Sequence, residues 1–401
     1  MMDREYDVIV VGAGPAGSMA AKTVAEGKHS VLVLDKKQEI GTPKRCAEGI
    51  NTRGLVALGL EPDPRWAVND INGAVCYSPS GKSVNTDLGA MGGYVLERKI
   101  FEKHLATEAI KKGARYMVKT NARKVLKENG FVKGVKVDYM GEEIELKSRI
   151  VIAADGVDSK IARDMGIETK NVPEDYHSGF QYEMAGLNLE EEDKLHIYFG
   201  EKIAPKGYVW IFPKGDSVAN VGIGILSKLS SEGNRAIDYL NRFIRSHPEI
   251  FQNASPIEIN AGGVPMGSPL KNMTDNGFMV VGDAAHQVNP IHGGGISLAM
   301  EAGMIAGQVA SEALDKRDVS RQSLQEYQRR WEDKFNTKLK KLMKLRYFLE
   351  KITDKEFEIF AKTLSGDDIM KLTESKYTFL IRMLAKNAPH MAPLAKKFLS
   401  K

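Results

Sequence analysis

A chain of 401 residues is too long for one hydrophobic core, so two or three domains are expected. Its 57 basic and 52 acidic side chains leave a mild net charge of +5, and with no reader motif present nucleic acid is not an expected partner. Two widely separated cysteines, Cys46 and Cys76, form no C-x-x-C, indicate no disulfide framework or zinc site and fit a reducing cytoplasm; no apolar run approaches the ~18 residues of a membrane span and no cleavable leader is expected before the first strand, so a soluble or peripheral protein is expected.

The first predicted element is a buried strand, Tyr6-Asp7-Val8-Ile9-Val10-Val11. Gly12-Ala13-Gly14-Pro15-Ala16-Gly17 follows, then a small-residue helix, then a second buried strand, Val31-Leu32-Val33-Leu34, ending in Asp35. This is a βαβ unit with G-x-G-x-x-G at its turn. Gly12 permits the tight turn, Gly14 lets a pyrophosphate approach the backbone, and Gly17 lets helix and strand pack closely. The helix N-terminus offers free N–H groups to phosphates. Asp35 stands where a carboxylate accepts ribose hydroxyls and offers no charge partner to a 2′-phosphate, which favours FAD or NAD over NADP.

Beyond it lies the loop Pro43-Lys44-Arg45-Cys46-Ala47-Glu48-Gly49, then a helix near Thr52–Leu60. Ile71 to Val84 alternates around Ser78-Pro79-Ser80-Gly81, a hairpin signal. Leu96–Lys112 reads as a helix capped by Gly113. Arg115–Leu146 reads as three strands with turns at Asn129-Gly130 and Met140-Gly141, and Arg149–Ala154 as a separate buried strand. Tyr176–Gly263 alternates as a second, largely antiparallel domain with one helix near Arg235–Ser246. Phe278–Val281 returns to the first domain, and a helix follows from about Ile296 to Leu314.

The expected fold class is therefore α/β. An FAD-binding Rossmann-type parallel sheet with a β-meander takes residues 1–170 and 265–318. A mostly antiparallel substrate domain takes 171–264, and a helical region takes 319–401. Within that tail, Arg329 to Arg346 interleaves basic residues with Trp331, Phe335, Leu339, Leu342, Met343 and Leu345, a basic amphipathic helix suited to an anionic lipid surface. The amphipathic end, Tyr377–Leu399, is expected to cap a lipid tunnel.

Two further motifs, Asp155-Gly156-Val157-Asp158-Ser159 with Arg163, and Gly282-Asp283-Ala284-Ala285-His286 with Gly293-Gly294-Gly295, complete an ordered set. The set resembles the p-hydroxybenzoate hydroxylase-like flavoproteins. Asp283 at a strand end suits ribityl hydroxyls, and the Gly293–Gly295 loop opens a helix whose N–H groups would stabilise a reduced flavin. His286 and His292 read as loop histidines without chemistry.

Tyr208-Val209-Trp210-Ile211-Phe212-Pro213 and the Pro43–Gly49 stretch resemble the geranylgeranyl reductase family, whose Y-x-W-x-F-P strand is matched in full. The tyrosine of the family's P-x-x-Y-x-C stretch is absent here. The resemblance implies FAD contacts at Ala16, Asp35, Cys46, Ala47, Gly49, Arg98, Ala122, Asp283, Gly295 and Ile296. It implies reduction of isoprenoid double bonds in prenylated glycerophospholipids of archaeal type, by way of an external donor: ferredoxin, a deazaflavin or a nicotinamide. Tyr208, Trp210 and Phe212 project to one face of a strand and would wall the lipid path. Cys46 is the expected catalytic residue, as a proton source or relay. Two alternatives share this scaffold. One is a flavin monooxygenase or halogenase, whose catalytic lysine has no clear candidate here; the other is a non-catalytic prenyl-lipid carrier.

Overall fold

The computed structural model describes residues 3–89 and 92–399. Strand Glu5–Val11 lies inside an eight-stranded sheet, parallel to Val31–Leu34 on one side and to Glu142–Ala153 on the other. Phe278–Val280 and Arg115–Met117 extend the parallel order outward. Val8, Ile9 and Val10 are fully buried, as a strand covered on both faces requires. Helices Pro15–Glu26 and Ile296–Asp315 pack closely on each other because small residues meet there. A Cβ on Gly303 would stand 2.0 Å from the Ala16 carbonyl oxygen.

The meander is present, with one correction. Glu142–Ala153 is one continuous strand, not a meander strand followed by a separate buried one. It pairs antiparallel with Phe131–Tyr139 up to Lys147, and parallel with Glu5–Val11 from Lys147 onward. No turn residue separates Leu146 from Arg149, so the chain runs straight through. A single strand thus ties the meander to the parallel core.

The second sheet has seven strands, in the order Ser255–Pro265, Tyr176–Ala185, Val218–Leu226, Tyr208–Gly215, Lys194–Tyr198, Gly73–Tyr77, Ser83–Asp87. The last two are the hairpin expected around Ser78–Gly81. They sit within residues 1–170, yet they join this sheet through a parallel pairing of Gly73–Tyr77 with Lys194–Tyr198. Alternation marks a hairpin but does not say which sheet edge receives it. Val209, Ile211, Val221 and Ile223 point to a core closed by Leu240 and Phe243 of helix Ala236–Ser246. The opposite face of the strand carries Tyr208, Trp210 and Phe212.

Helix Arg321–Leu349 forms the spine of the tail. Tyr327, Trp331 and Leu339 pack into the nucleotide-domain core, whereas Leu345 and Phe348 pack with Phe360, Leu380, Leu384 and Ala395 in a separate cluster. The expected free lipid-facing surface is therefore covered by protein. Several of its cations are also engaged: Arg329 with Asp333, Arg330 with Glu312, and Lys334 with Glu301. Arg346 is buried and donates to the carbonyls of Met266 and Glu174 at 2.6 and 2.7 Å. Among the described residues no helix is long and apolar enough to cross a membrane.

Candidate flavin and lipid site

The glycine turn is dictated by backbone contacts. Gly12 has φ +109°, and a Cβ there would stand 2.2 Å from the Ala154 carbonyl oxygen. A Cβ on Gly17 would stand 1.9 Å from the Gly12 oxygen. Gly14 differs: an added Cβ meets no atom within 4 Å, and the residue opens onto a cavity together with Ala16. Asp35 braces the turn, its Oδ2 accepting from the Ala13 N–H at 3.0 Å and its Oδ1 from the Lys37 N–H at 2.8 Å. Gly12, Gly17 and Asp35 shape the turn without lining the cavity. Ala122 lies on the meander strand Thr120–Glu128 opposite Val137, outside the cavity wall.

The other two glycine motifs converge on the same space. Asp155 accepts from the Ile161 N–H at 3.0 Å and so braces the first turn of helix Lys160–Met165, while Gly156 lines the cavity. Asp283, Gly295 and Ile296 line it as well. The Asp283 carboxylate accepts no hydrogen bond from any described residue. Burial pushes its pKa up, against the opposing charge of Arg98. A half-buried acceptor without donors facing the cavity, an open glycine at one helix start (Gly14) and a second helix start at Gly295 fit a dinucleotide with a polyhydroxyl tail.

Cys46, Ala47 and Gly49 form the next part of the wall. The Cys46 Sγ accepts from the Glu48 N–H at 3.2 Å. Arg98 sits beside this thiol and bonds Glu102 Oε1 through Nε at 2.7 Å. Burial works against the guanidinium charge, but Cys46 in its thiolate form and Glu102 outweigh it and hold the pKa of Arg98 above its usual range. The loop is anchored from below by ions that sequence reading missed. Glu48, with φ +73° and a fully buried side chain, meets Lys44 at 3.0 Å and Lys214 at 3.1 Å. Lys214 also reaches Glu97 at 2.7 Å and Glu183 at 3.2 Å, and Lys44 pairs with Glu183. Burial disfavours the charge on Lys214, yet Glu48, Glu97 and Glu183 together raise its pKa. The one sequence signal was polar residues at inward positions of otherwise apolar strands: Gln181, Glu183 and Asn220.

Those residues link the ions to the aromatic wall. Trp210 Nε1 donates to Gln181 Oε1 at 2.9 Å, Gln181 Nε2 to Asn220 Oδ1 at 3.0 Å, and Asn220 Nδ2 to Glu48 Oε2 at 2.7 Å. Gln181 also donates to the Cys46 carbonyl at 3.0 Å. Tyr208 donates to the His292 carbonyl at 2.6 Å. Trp210 lies over Gly222, where a Cβ would fall 2.4 Å from its ring, and Phe212 lies over Gly49. All three aromatic side chains line the cavity. His286, by contrast, is buried against the Thr169 carbonyl, outside the cavity wall; His292 lines it.

The cavity occupies about 1110 Å3 and continues from the glycine loops under the tail. There its wall is apolar: Leu342, Leu345, Leu349, Phe357, Phe360 and Leu364. The cover comes from helices Asp354–Thr363 and Gly366–Thr373. The segment expected as the cap, Tyr377–Leu399, instead packs behind them on Leu345 and Phe348. Its amphipathic faces are satisfied by that second layer. No cluster of three metal-ligating side chains occurs among the described residues.

The parallel sheet, the glycine loops and this cavity define an FAD-dependent oxidoreductase. An FAD-binding domain model matches residues 7–81, and a geranylgeranyl reductase catalytic domain model matches residues 175–264. Digeranylgeranylglycerophospholipid reductase 1 of Methanothermobacter thermautotrophicus is 42% identical over 394 residues, covering 97% of either chain. The corresponding reductase of Methanocaldococcus jannaschii is 44% identical over 375 residues, covering 92% of this chain and 94% of that one. A solved geranylgeranyl bacteriochlorophyll reductase-like protein from Thermoplasma acidophilum superposes with a TM-score of 0.89 at 34% identity, covering 98% of this chain and 99% of that one. The chain belongs to the digeranylgeranylglycerophospholipid reductase family.

Proposed function

We propose that this protein saturates the isoprenoid double bonds of geranylgeranyl chains carried on glycerophospholipids. The observation that carries the reading is the single cavity joining flavin-type glycine loops, an aromatic strand and a long apolar wall. FAD bound here and reduced would supply the hydride, and an external donor, a ferredoxin, a deazaflavin or a nicotinamide, would return two electrons to it. Gly14, Ala16, Asp283, Gly295 and Ile296 would hold the nucleotide, with Arg98 set between the Cys46 loop and that site.

A prenyl double bond is electron-rich, so hydride addition to one carbon requires a proton at the other. Positive charge develops at the more substituted carbon during this transfer. Tyr208, Trp210 and Phe212 present π faces there and exclude water, which favours a developing cation. The Cys46 thiol is the proposed proton source, and the thiolate left behind recovers its proton from solvent. Each bond thus gains one hydride and one proton. A dithionite-reduced, flavin-loaded protein incubated without air with a digeranylgeranyl phospholipid is expected to add two hydrogens per bond, read by mass spectrometry. Unchanged lipid mass with fully reduced flavin would overturn the reading. Equal turnover by Cys46→Ala would remove the thiol's role alone.

A further inference from the structure

We propose that Lys338, at the rim of the cavity, is a binding site for the phosphate of the lipid substrate; this deepens the reductase reading and rests on it. The cavity face of helix Arg321–Leu349 begins with Lys334 and Lys338 and continues through Leu339, Leu342, Leu345 and Leu349. Lys334, Lys338, Leu342, Leu345 and Leu349 follow at steps of three and four and so form one stripe, with Leu339 beside it. At 1.5 Å per residue the stripe from Lys334 to Leu349 is about 22 Å long, the scale of an extended geranylgeranyl chain. The stripe is cationic at one end and oily along the rest, as an amphiphile with an anionic head requires.

The cations along the stripe are not equivalent. Lys334 is held by Glu301, and Arg346 is buried and used by Met266, Glu174 and Asp175. Lys338 is exposed and has no carboxylate partner among the described residues. Arg53, from the facing helix Thr52–Val56, also lines the rim and stands 3.7 Å from Glu374. Glu374 is held below the usual carboxylate range by Lys376 first, and by Arg53 and Lys338 further out. Lys338 and Arg53 both line this rim. An exposed pair at that distance is weak, so a phosphate arriving with an apolar chain can take both cations.

The test measures binding to flavin-loaded protein, by tryptophan fluorescence, of two detergent-dispersed probes: digeranylgeranylglyceryl phosphate and digeranylgeranylglycerol. Lys338→Ala should weaken the phosphorylated probe about tenfold relative to the neutral one, the scale of one charge-assisted contact. Lys338→Glu should weaken it further, and added salt should erode the wild-type preference. Lys340→Glu, on an exposed position outside the cavity lining, is the control for diffuse charge. Equal weakening of both probes, an equal effect of Lys340→Glu, or displacement by inorganic phosphate alone would each overturn the assignment. Failure of reduced wild-type protein to saturate either lipid removes the reductase reading only, because the binding comparison still decides the lysine. Failure to bind either probe removes both.

Discussion

The two ends of the cavity are built by opposite means. At the nucleotide end, backbone does the shaping: glycines approach carbonyls so closely that Gly12 and Gly17 admit no side chain. At the lipid end, side chains do the shaping: leucines and phenylalanines from three helices of the tail line an apolar passage. Backbone geometry tolerates almost no substitution, whereas apolar walls tolerate exchange at similar volume. The nucleotide end is thus fixed in shape, and the lipid end is open to tuning for different chains.

Glycine substitutions break this comparison most severely. Gly12→Ala should cost on the order of 5 kcal/mol and abolish folding and flavin uptake together, read by thermal melting and flavin absorbance. Gly14→Ala should leave the melting of flavin-free protein nearly unchanged while cutting bound FAD, since its Cβ enters open space. Equal damage from the two would show that Gly14 serves packing instead. Next in size is the buried ion cluster beneath the Cys46 loop. Glu48→Gln leaves Lys44 and Lys214 short of a counter-charge and should cost about 3–5 kcal/mol in urea unfolding.

A pH effect follows. His177, buried in the second sheet, has its pKa pushed down to about 4, and one ring nitrogen lies against the Lys206 carbonyl at 3.1 Å. The unfolded chain binds a proton below about 6.5 and the fold resists it. Stability is therefore complete above about pH 6.5 and falls by about 3 kcal/mol as pH drops toward 4. His177→Gln should flatten that part of the curve in denaturant titrations at stepped pH. The smallest effect expected is Trp210→Phe, which deletes one hydrogen bond to Gln181 and should cost about 1 kcal/mol. A melt indistinguishable from wild type would mean that water replaces the indole N–H.

What the sequence made legible follows the same division. Gly12, Gly14 and Gly17 lie within one turn, and Tyr208, Trp210 and Phe212 alternate on one strand, so local spacing reveals them. Glu48 and Lys214 lie 166 residues apart in the chain and meet only in the fold, and no local spacing encodes that meeting. The helix from Arg329 to Arg346 has one apolar face whatever covers it; a bilayer and a protein core select the same pattern. The cover therefore emerged only from packing. Lys338 was likewise one lysine among several until the rim set it apart.

One consequence of the spine helix concerns the order of assembly. Because Trp331 is rooted in the nucleotide core and Phe348 in the terminal cluster, the tail has nothing to dock on until the first core has formed. Limited proteolysis within residues 350–376 should leave a yellow remnant that keeps its cofactor yet has lost the roof over its lipid. Nucleotide retention and lipid retention would then be separable by a single cut.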